Sequence, residues 1–147
     1  MTIVAFDHVA IPTDRPLEML RFYRALGFGA PSPQEWLASG ATHFALQFGD
    51  NKINVHAPAR WQDPAFTLRG PTAVPGCGDF CFVWGGTHDA LHEALNRAGA
   101  TVEVGPVERV GGHDGGRARG ASIYTRDPDG NLLEFIRYGA QQSHVIG

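Results

Sequence analysis

The chain has few cysteines and few basic residues. Its two cysteines are Cys77 and Cys81, and roughly 13 Å of extended chain would separate them, which is too far for a disulfide. Without a second Cys pair, the spacing of a zinc finger is also missing. Lysine and arginine number only 12, and the net charge is -3, so the basic surface that nucleic-acid phosphates require is lacking. We therefore expect neither a disulfide nor a nucleic-acid partner.

Long hydrophobic segments are also missing. No run reaches the length of about 18 apolar residues that a membrane span needs, and the N-terminus lacks the charged start and apolar stretch of a signal peptide. These absences predict a cytoplasmic protein with no membrane association. Glycine (19) and proline (10) are plentiful beside 43% hydrophobic residues, a composition typical of a loop-rich globular protein.

Hydrophobic periodicity in the first half predicts a βαβββ unit. A strand over residues 3–11 ends at Pro12. A helix follows, with Asp14 as its N-cap, Pro16 in its first turn and Gly27 at its end. Three short strands over residues 36–38, 43–48 and 52–56 complete the unit, and a Pro-rich connection over residues 57–75 leads to the second half.

The second half repeats this order. A strand over residues 78–84 precedes a helix that begins at Thr87 or His88 and ends at Gly99, and strands are predicted over residues 102–104, 121–125 and 132–138. Gly27 follows His8 by 19 positions and Gly99 follows Asp79 by 20, so the halves match in register. We predict one α+β domain over residues 1–147, built from modules of about 1–58 and 76–140 whose mixed sheets form a half-barrel cleft. A Gly-rich loop over residues 111–120 is the main asymmetry.

Four polar residues interrupt apolar strands at what the sequence suggests are equivalent places. His8 and His56 lie in the first and last strands of module one, and Asp79 and Glu134 lie in those of module two. Two neutral imidazoles and two carboxylates cancel the charge of a divalent ion. This donor set suits Zn, Ni, Co, Mn or Fe(II) equally well. The pattern therefore predicts a site for one divalent metal ion.

Further polar residues are candidates for substrate binding. Because alternate residues of a strand share a face, Asn54 accompanies His56 and Cys81 accompanies Asp79. Tyr124 lies on the strand before the final turn, where its hydroxyl can act as an acid or a hydrogen-bond donor. Arginines near the Gly-rich loop are candidates for binding a substrate carboxylate, although a solvated loop is the simpler interpretation of Arg109, Arg117 and Arg119.

Three motifs resemble those of one known superfamily. They are Asp7-His8-Val9-Ala10, the helix end over residues 22–28, and the segment over residues 126–134, which reads Arg-Asp-Pro-Asp-Gly-Asn-Leu-Leu-Glu. Over nearly the whole chain they resemble the vicinal oxygen chelate superfamily of glyoxalases, bleomycin and fosfomycin resistance proteins and extradiol dioxygenases. Within it, the chain is similar to the group containing glyoxalase domain-containing protein 5.

The resemblance implies a metal ion that binds adjacent oxygens of a small substrate and stabilises an enolate or oxyanion. It assigns the ligands to His8, His56, Asp79 and Glu134. We expect Glu134 and Tyr124 to act in catalysis. Extradiol dioxygenases and fosfomycin-type transferases usually have a His where this chain has Asp79, and no ligand where it has His56. Four protein ligands leave two positions on an octahedral metal, which favours a glyoxalase- or epimerase-like isomerase or lyase.

Two alternatives remain open at this point. If Asp79 does not bind, two histidines and Glu134 form a set suited to Fe(II) and dioxygen, which would make the protein a dioxygenase. A metal-free, antibiotic-binding resistance protein is the second alternative. The resemblance also implies a homodimer, and the exposed edge strands of two such sheets give a physical reason for association, with or without exchange of modules.

Overall fold

The computed structural model describes residues 1–139 as two modules that follow one another in the chain. The first contains β1 (His8–Pro12), α1 (Pro16–Leu26), α2 (Pro33–Ser39), β2 (His43–Phe48), β3 (Asn51–His56) and α3 (Pro58–Trp61). The second contains β4 (Asp79–Val83), α4 (His88–Ala98), β5 (Val104–Val110), α5 (His113–Gly116), β6 (Arg119–Arg126) and β7 (Leu132–Arg137). Within this part of the chain, no helix is long and apolar enough to cross a membrane.

The strands form two separate sheets, which we call sheet A and sheet B. Sheet A has the order β1-β3-β2, and sheet B has the order β4-β7-β6-β5. The first strand of each module pairs in parallel with the last strand, and the other pairings are antiparallel. The predicted α+β class and the repeated modules are confirmed, with the sheets lying open and not closed into a barrel.

One predicted strand is a helix. Residues 36–38 lie in α2, which begins with a capping box in which the Ser32 side chain accepts from the Glu35 backbone and the Glu35 side chain accepts from the Ser32 backbone. Pro33 in the first turn also favours a helix start. Trp36 is buried and donates from Nε1 to the carbonyl of His43 at 2.9 Å. The short apolar run alone fits a strand, and the capping box before it is the signal that specifies a helix.

The start of module one also differs from the prediction. The first strand begins at His8 and not at residue 3, because its partner β3 begins only at Asn51 and leaves the earlier residues without a ladder. The N-cap of α1 is Arg15 instead of Asp14. The backbone N–H of Asp14 donates to the Asp129 carboxylate at 3.2 Å, which ties the start of α1 to module two.

The two modules pack through helices α1 and α4 around one continuous hydrophobic core. The turn between β6 and β7 closes this contact, because the carboxylate of Asp127 accepts from the Tyr23 hydroxyl at 2.6 Å and from the Asn131 amide at 2.8 Å. The same carboxylate accepts from the backbone N–H groups of Asp129 and Asn131, both at 3.0 Å. Burial and the Asp127 charge raise the pKa of Tyr23 well above its usual range. The characteristic turn of residues 126–131 is therefore a structural link between the modules.

Candidate functional site

Each sheet packs one face against the helices and leaves the other face largely open. The packed face of sheet A carries core residues such as Ile53 and Val55. Alternation along the strands then places a grid of nine side chains on its other side, which we call open face A. Its three rows across β1, β3 and β2 are His8, Lys52 and Gln47; Ala10, Asn54 and Ala45; and Pro12, His56 and His43.

Open face B is the corresponding surface of sheet B, and its pairing repeats that of face A. The three rows across β4, β7 and β6 are Asp79, Leu132 and Arg126; Cys81, Glu134 and Tyr124; and Val83, Ile136 and Ser122. The two grids coincide position by position. His8 therefore corresponds to Asp79, and Asn54 corresponds to Glu134.

This register changes the place of His56. It pairs with Pro12, whereas His8 pairs with Lys52, so His56 lies four positions along β3 from the row of His8. That separation is roughly 13 Å along the sheet. The counterpart of His56 in module two is Ile136, so the predicted equivalence of His56 with Glu134 is wrong, and Asn54 occupies that position. His56 as a metal ligand stays a prediction.

Within residues 1–139, the four predicted ligands do not converge. No group of three or more His, Cys, Asp or Glu side chains in this part of the chain lies close enough to hold a metal ion. His8 is half exposed, and its Nδ1 lies 2.6 Å from an oxygen of Asp7. With Nδ1 as the donor, Nε2 keeps its lone pair, which is the arrangement of a metal-binding histidine oriented by a carboxylate.

Glu134 is the centre of a hydrogen-bonded network on open face B. One of its oxygens accepts from the Ser122 hydroxyl at 2.6 Å. The side chains of Tyr124 and Cys81 are also hydrogen-bonded to its carboxylate. The hydroxyl of Tyr124 in turn accepts from Nε of Arg109 at 3.1 Å. Ser122 is the member that the sequence analysis missed, although it lies two residues before Tyr124 and so shares its face.

The network sets the protonation of two of its members. Desolvation raises the pKa of Tyr124, and the hydrogen bond to Glu134 adds to this, while Arg109 opposes it. Partial burial and the charge of Glu134 raise the pKa of the Cys81 thiol to about 12. Both groups therefore keep their protons at neutral pH, where they act as hydrogen-bond donors and not as nucleophiles.

Cys81 is expected to alkylate slowly despite its exposed position. A thiol with a pKa of about 12 has a very small thiolate fraction at pH 8, so in the metal-free protein we expect iodoacetamide to modify Cys81 at least about tenfold more slowly than exposed Cys77. Glu134→Gln removes the negative charge and should accelerate modification of Cys81 alone. Peptide mass spectrometry measures both rates, with Cys77 as the internal control. Equal rates for the two cysteines in the wild type would contradict this account of the network.

Two of the three predicted substrate-binding arginines are already paired. Arg117 lies 3.4 Å from a carboxylate oxygen of Asp114, and Arg119 forms an ion pair with Glu108. Both pairs are exposed on the β5–β6 hairpin, where such pairs add little stability. Only Arg109 reaches the Glu134 network, through its hydrogen bond to Tyr124. A role of these arginines in substrate binding stays a prediction.

The third row of open face A lies in a basic environment. His43 and His56 have ring centroids 6.4 Å apart, and Nη2 of Arg60 lies 3.3 Å from Nδ1 of His43. Burial lowers the pKa of His56, and the charges of Arg60, His43 and Arg69 lower it further. The pKa of His43 is also lowered, first by burial and then by Arg60. Positive neighbours of this kind disfavour a cation beside His56.

A cleft of about 910 Å³ runs between module one and the free edge of β4. Asp79 and Cys81 contribute polar groups to it, and its wall is mainly apolar, with seven aromatic side chains. The aromatic lining residues are Phe6, Phe28, Phe48, Phe80, Phe82, Trp84 and Phe135. Trp84 lines the cleft, whereas Trp36 and Phe44 belong to the core.

Comparison with known proteins finds a matching family model and similar proteins over most of the chain. Residues 5–135 match the family model of the glyoxalase/bleomycin resistance protein/dioxygenase superfamily. The virulence protein STM3117 of Salmonella typhimurium is 34% identical over 141 residues, which cover 94% of this chain and 87% of that protein. Its crystal structure superimposes with a TM-score of 0.73 and covers 94% of this chain and 99% of that chain.

Two further relatives cover the chain to a similar extent. The glyoxalase domain-containing protein RDO1 of Mycosarcoma maydis is 33% identical over 143 residues, which cover 94% of this chain and 70% of that protein. An integron cassette protein from the mobile metagenome of V. cholerae has a solved structure with a TM-score of 0.72 and 32% identity, and the match covers 94% of this chain and 98% of that chain.

Proposed function

Because the chain belongs to the glyoxalase/bleomycin resistance protein/dioxygenase superfamily, we propose that it is a metal-dependent enzyme for a small substrate with adjacent oxygens. The metal site forms where open face A of one copy meets open face B of a second copy. The observation that supports this most is the strand register, which puts His8 and Asn54 on one face at the positions that Asp79 and Glu134 occupy on the other.

A second copy of the chain would complete the set of metal donors that a single chain does not bring together. No three donor residues meet within residues 1–139, yet each open face carries part of a coherent set. Apolar side chains are exposed on sheet B, where Val83 is 55% and Val104 is 45% exposed, and Phe6 before β1 is 66% exposed. Strands β1 and β4 also each keep one unpaired edge. Exposed apolar surface beside free strand edges favours association with an identical chain.

The donors of the two faces fit a divalent ion. His8 offers an imidazole nitrogen oriented by Asp7, and the carboxylates of Asp79 and Glu134 together neutralise a double positive charge. Asn54 adds an amide oxygen, a weaker ligand. A bound ion would supply Lewis-acid stabilisation for charge that develops on the substrate oxygens.

The residues around Glu134 have a defined part in such a site. Ser122, Cys81 and Tyr124 hold the Glu134 carboxylate in one orientation, and Arg109 fixes the Tyr124 hydroxyl. Tyr124 keeps its proton at neutral pH, and its single O–H can turn from Glu134 to donate to a substrate oxygen when one binds. A site with fixed proton donors and no ionised thiol favours proton transfer, so we propose an isomerase or lyase reaction.

Metal loading and oligomeric mass test this proposal together. The purified chain is reconstituted anaerobically with Zn, Ni, Co, Mn or Fe(II) in turn, and elemental analysis is combined with light scattering. We expect a dimer that binds about one ion per chain, as one composite site per pair of faces requires. A monomer that binds a full equivalent would contradict the composite site. Substrate-dependent oxygen uptake by the Fe(II) form would favour the dioxygenase alternative.

A metal-free binding protein is the second candidate, and the aromatic cleft favours it. A wall of seven aromatic side chains suits a flat apolar ligand without any metal. If no metal binds under any of the conditions above and an aromatic compound quenches the fluorescence of Trp84, this second function replaces the first. Trp84→Phe provides the control for the origin of the signal.

A further inference from the structure

We propose that the third row of open face A binds the anionic group of a small molecule, a phosphate or a carboxylate, through His43, His56 and Arg60. This site lies four residues of β3 beyond the row of His8. It does not depend on a metal ion or on the reaction proposed above. The site would bind an anion, whereas the sequence predicts that His56 binds a metal cation.

The first support is the number of donors that remain available. Arg60 uses Nε for the Thr42 hydroxyl at 3.0 Å and one N–H of Nη2 for His43 Nδ1 at 3.3 Å. A guanidinium has five N–H groups, so three remain. Because Nδ1 of neutral His43 accepts, its Nε2 carries a proton and is a further donor. The His56 ring contacts Phe66 at a centroid distance of 5.2 Å.

The second observation in support concerns two arginine side chains that form no ion pair with an acidic residue among residues 1–139. Arg60 is packed over Phe66 and Arg69 over Trp61, at 5.4 and 5.7 Å from the ring centroids. Within residues 1–139, the ion pairs involve neither Arg60 nor Arg69. By contrast, Arg117 and Arg119 on the hairpin each pair with a carboxylate. Guanidinium groups that are stacked, half-buried and not paired with a carboxylate of the protein are suited to bind the carboxylate or phosphate of a ligand.

The third support comes from the repeat itself. In module two the positions equivalent to His56 and His43 are Ile136 and Ser122, both buried. The fold therefore does not require basic residues in this row. Arg60 belongs to α3, in the connection between the modules. The basic residues are thus present in one module only. A ligand site accounts for this difference, whereas a requirement of the fold would apply to both modules.

Calorimetry with two simple anions tests the site. Inorganic phosphate and acetate are titrated separately into the full chain at fixed pH and low ionic strength, with a chelator present to exclude anion binding by a metal. We expect Arg60→Gln to weaken binding of the preferred anion by at least about tenfold, because charge-assisted hydrogen bonds are lost. Arg21→Gln, which removes the same charge from the exposed side of α1, should change it by less than about twofold.

The outcomes separate the possibilities. Tighter binding of phosphate assigns the site to a phosphate group, and tighter binding of acetate assigns it to a carboxylate. His56→Asn is the second variant, in case Arg60→Gln disturbs the packing on Phe66, and it should also weaken binding. If the wild type binds neither anion, or if neither variant changes the affinity, the site does not exist. Loss of metal binding would leave this result unaffected, so the two proposals fail separately.

Discussion

Replacing Glu134 with alanine is expected to lower the affinity for a divalent ion by more than about hundredfold, whereas His56→Ala is expected to lower it less than about threefold. Glu134 lies at the strand position equivalent to Asn54, and His56 lies in the row beyond. Arg60 and Arg69 also place positive charge around His56. Competition with a metal-sensitive dye measures the affinity of each variant.

Glu93→Ala is the matched control for this comparison. Glu93 is an exposed carboxylate on α4, so its removal changes the net charge without touching either open face. Its affinity should equal that of the wild type. If His56→Ala loses metal as severely as Glu134→Ala, the ligand set derived from the register is wrong and the original assignment of His56 holds.

Replacing Asp127 with alanine is expected to destabilise the protein by about 3–5 kcal/mol. The Asp127 carboxylate is 5% exposed and accepts hydrogen bonds from Tyr23, Asn131 and the turn backbone. Its removal leaves the buried Tyr23 hydroxyl and Asn131 amide without an acceptor. Urea unfolding followed by circular dichroism gives the free energy of unfolding.

Asp50→Ala is the control for this change. Asp50 is exposed in the turn between β2 and β3, and its removal should shift the free energy of unfolding by no more than about 0.5 kcal/mol. Tyr23→Phe should cost less than Asp127→Ala, because it removes one hydrogen bond and leaves Asp127 its other donors. A loss below about 1 kcal/mol for Asp127→Ala, the size of one ordinary hydrogen bond, would contradict the view that this turn links the modules.

Much of the fold followed from hydrophobic periodicity and turn residues. The helices ending at Gly27 and Gly99, and the strands that contain Asp79 and Glu134, agree with the structure because each has a clear local signal. The repeat was also evident from the matching spacing of the two halves. The error at residues 36–38 arose because a short apolar run fits a strand as well as a helix, and only the capping box at Ser32 distinguishes them.

The site was harder to predict, because side-chain positions depend on strand register. A shift of one or two residues moves a side chain to another face or row, and His56 was assigned one row away from the true counterpart of Glu134. The local sequence does indicate the correct register, because Asn51-Lys52-Ile53-Asn54 aligns with Asn131-Leu132-Leu133-Glu134 without a gap. The roles of Asp127 and Arg60 depend on contacts between distant segments, which no local pattern reveals.

A mixed dimer of two inactive variants tests the central claim that each metal site takes ligands from two chains. His8→Ala and Glu134→Ala chains carrying different tags are refolded together, and the heterodimer is isolated and analysed for bound metal. Each homodimer should bind almost none. In the heterodimer one site collects both substitutions and the other collects neither, so we predict about one ion per dimer. A heterodimer that binds no metal, while the wild type binds one ion per chain, would show that each site lies within a single chain and would contradict the account.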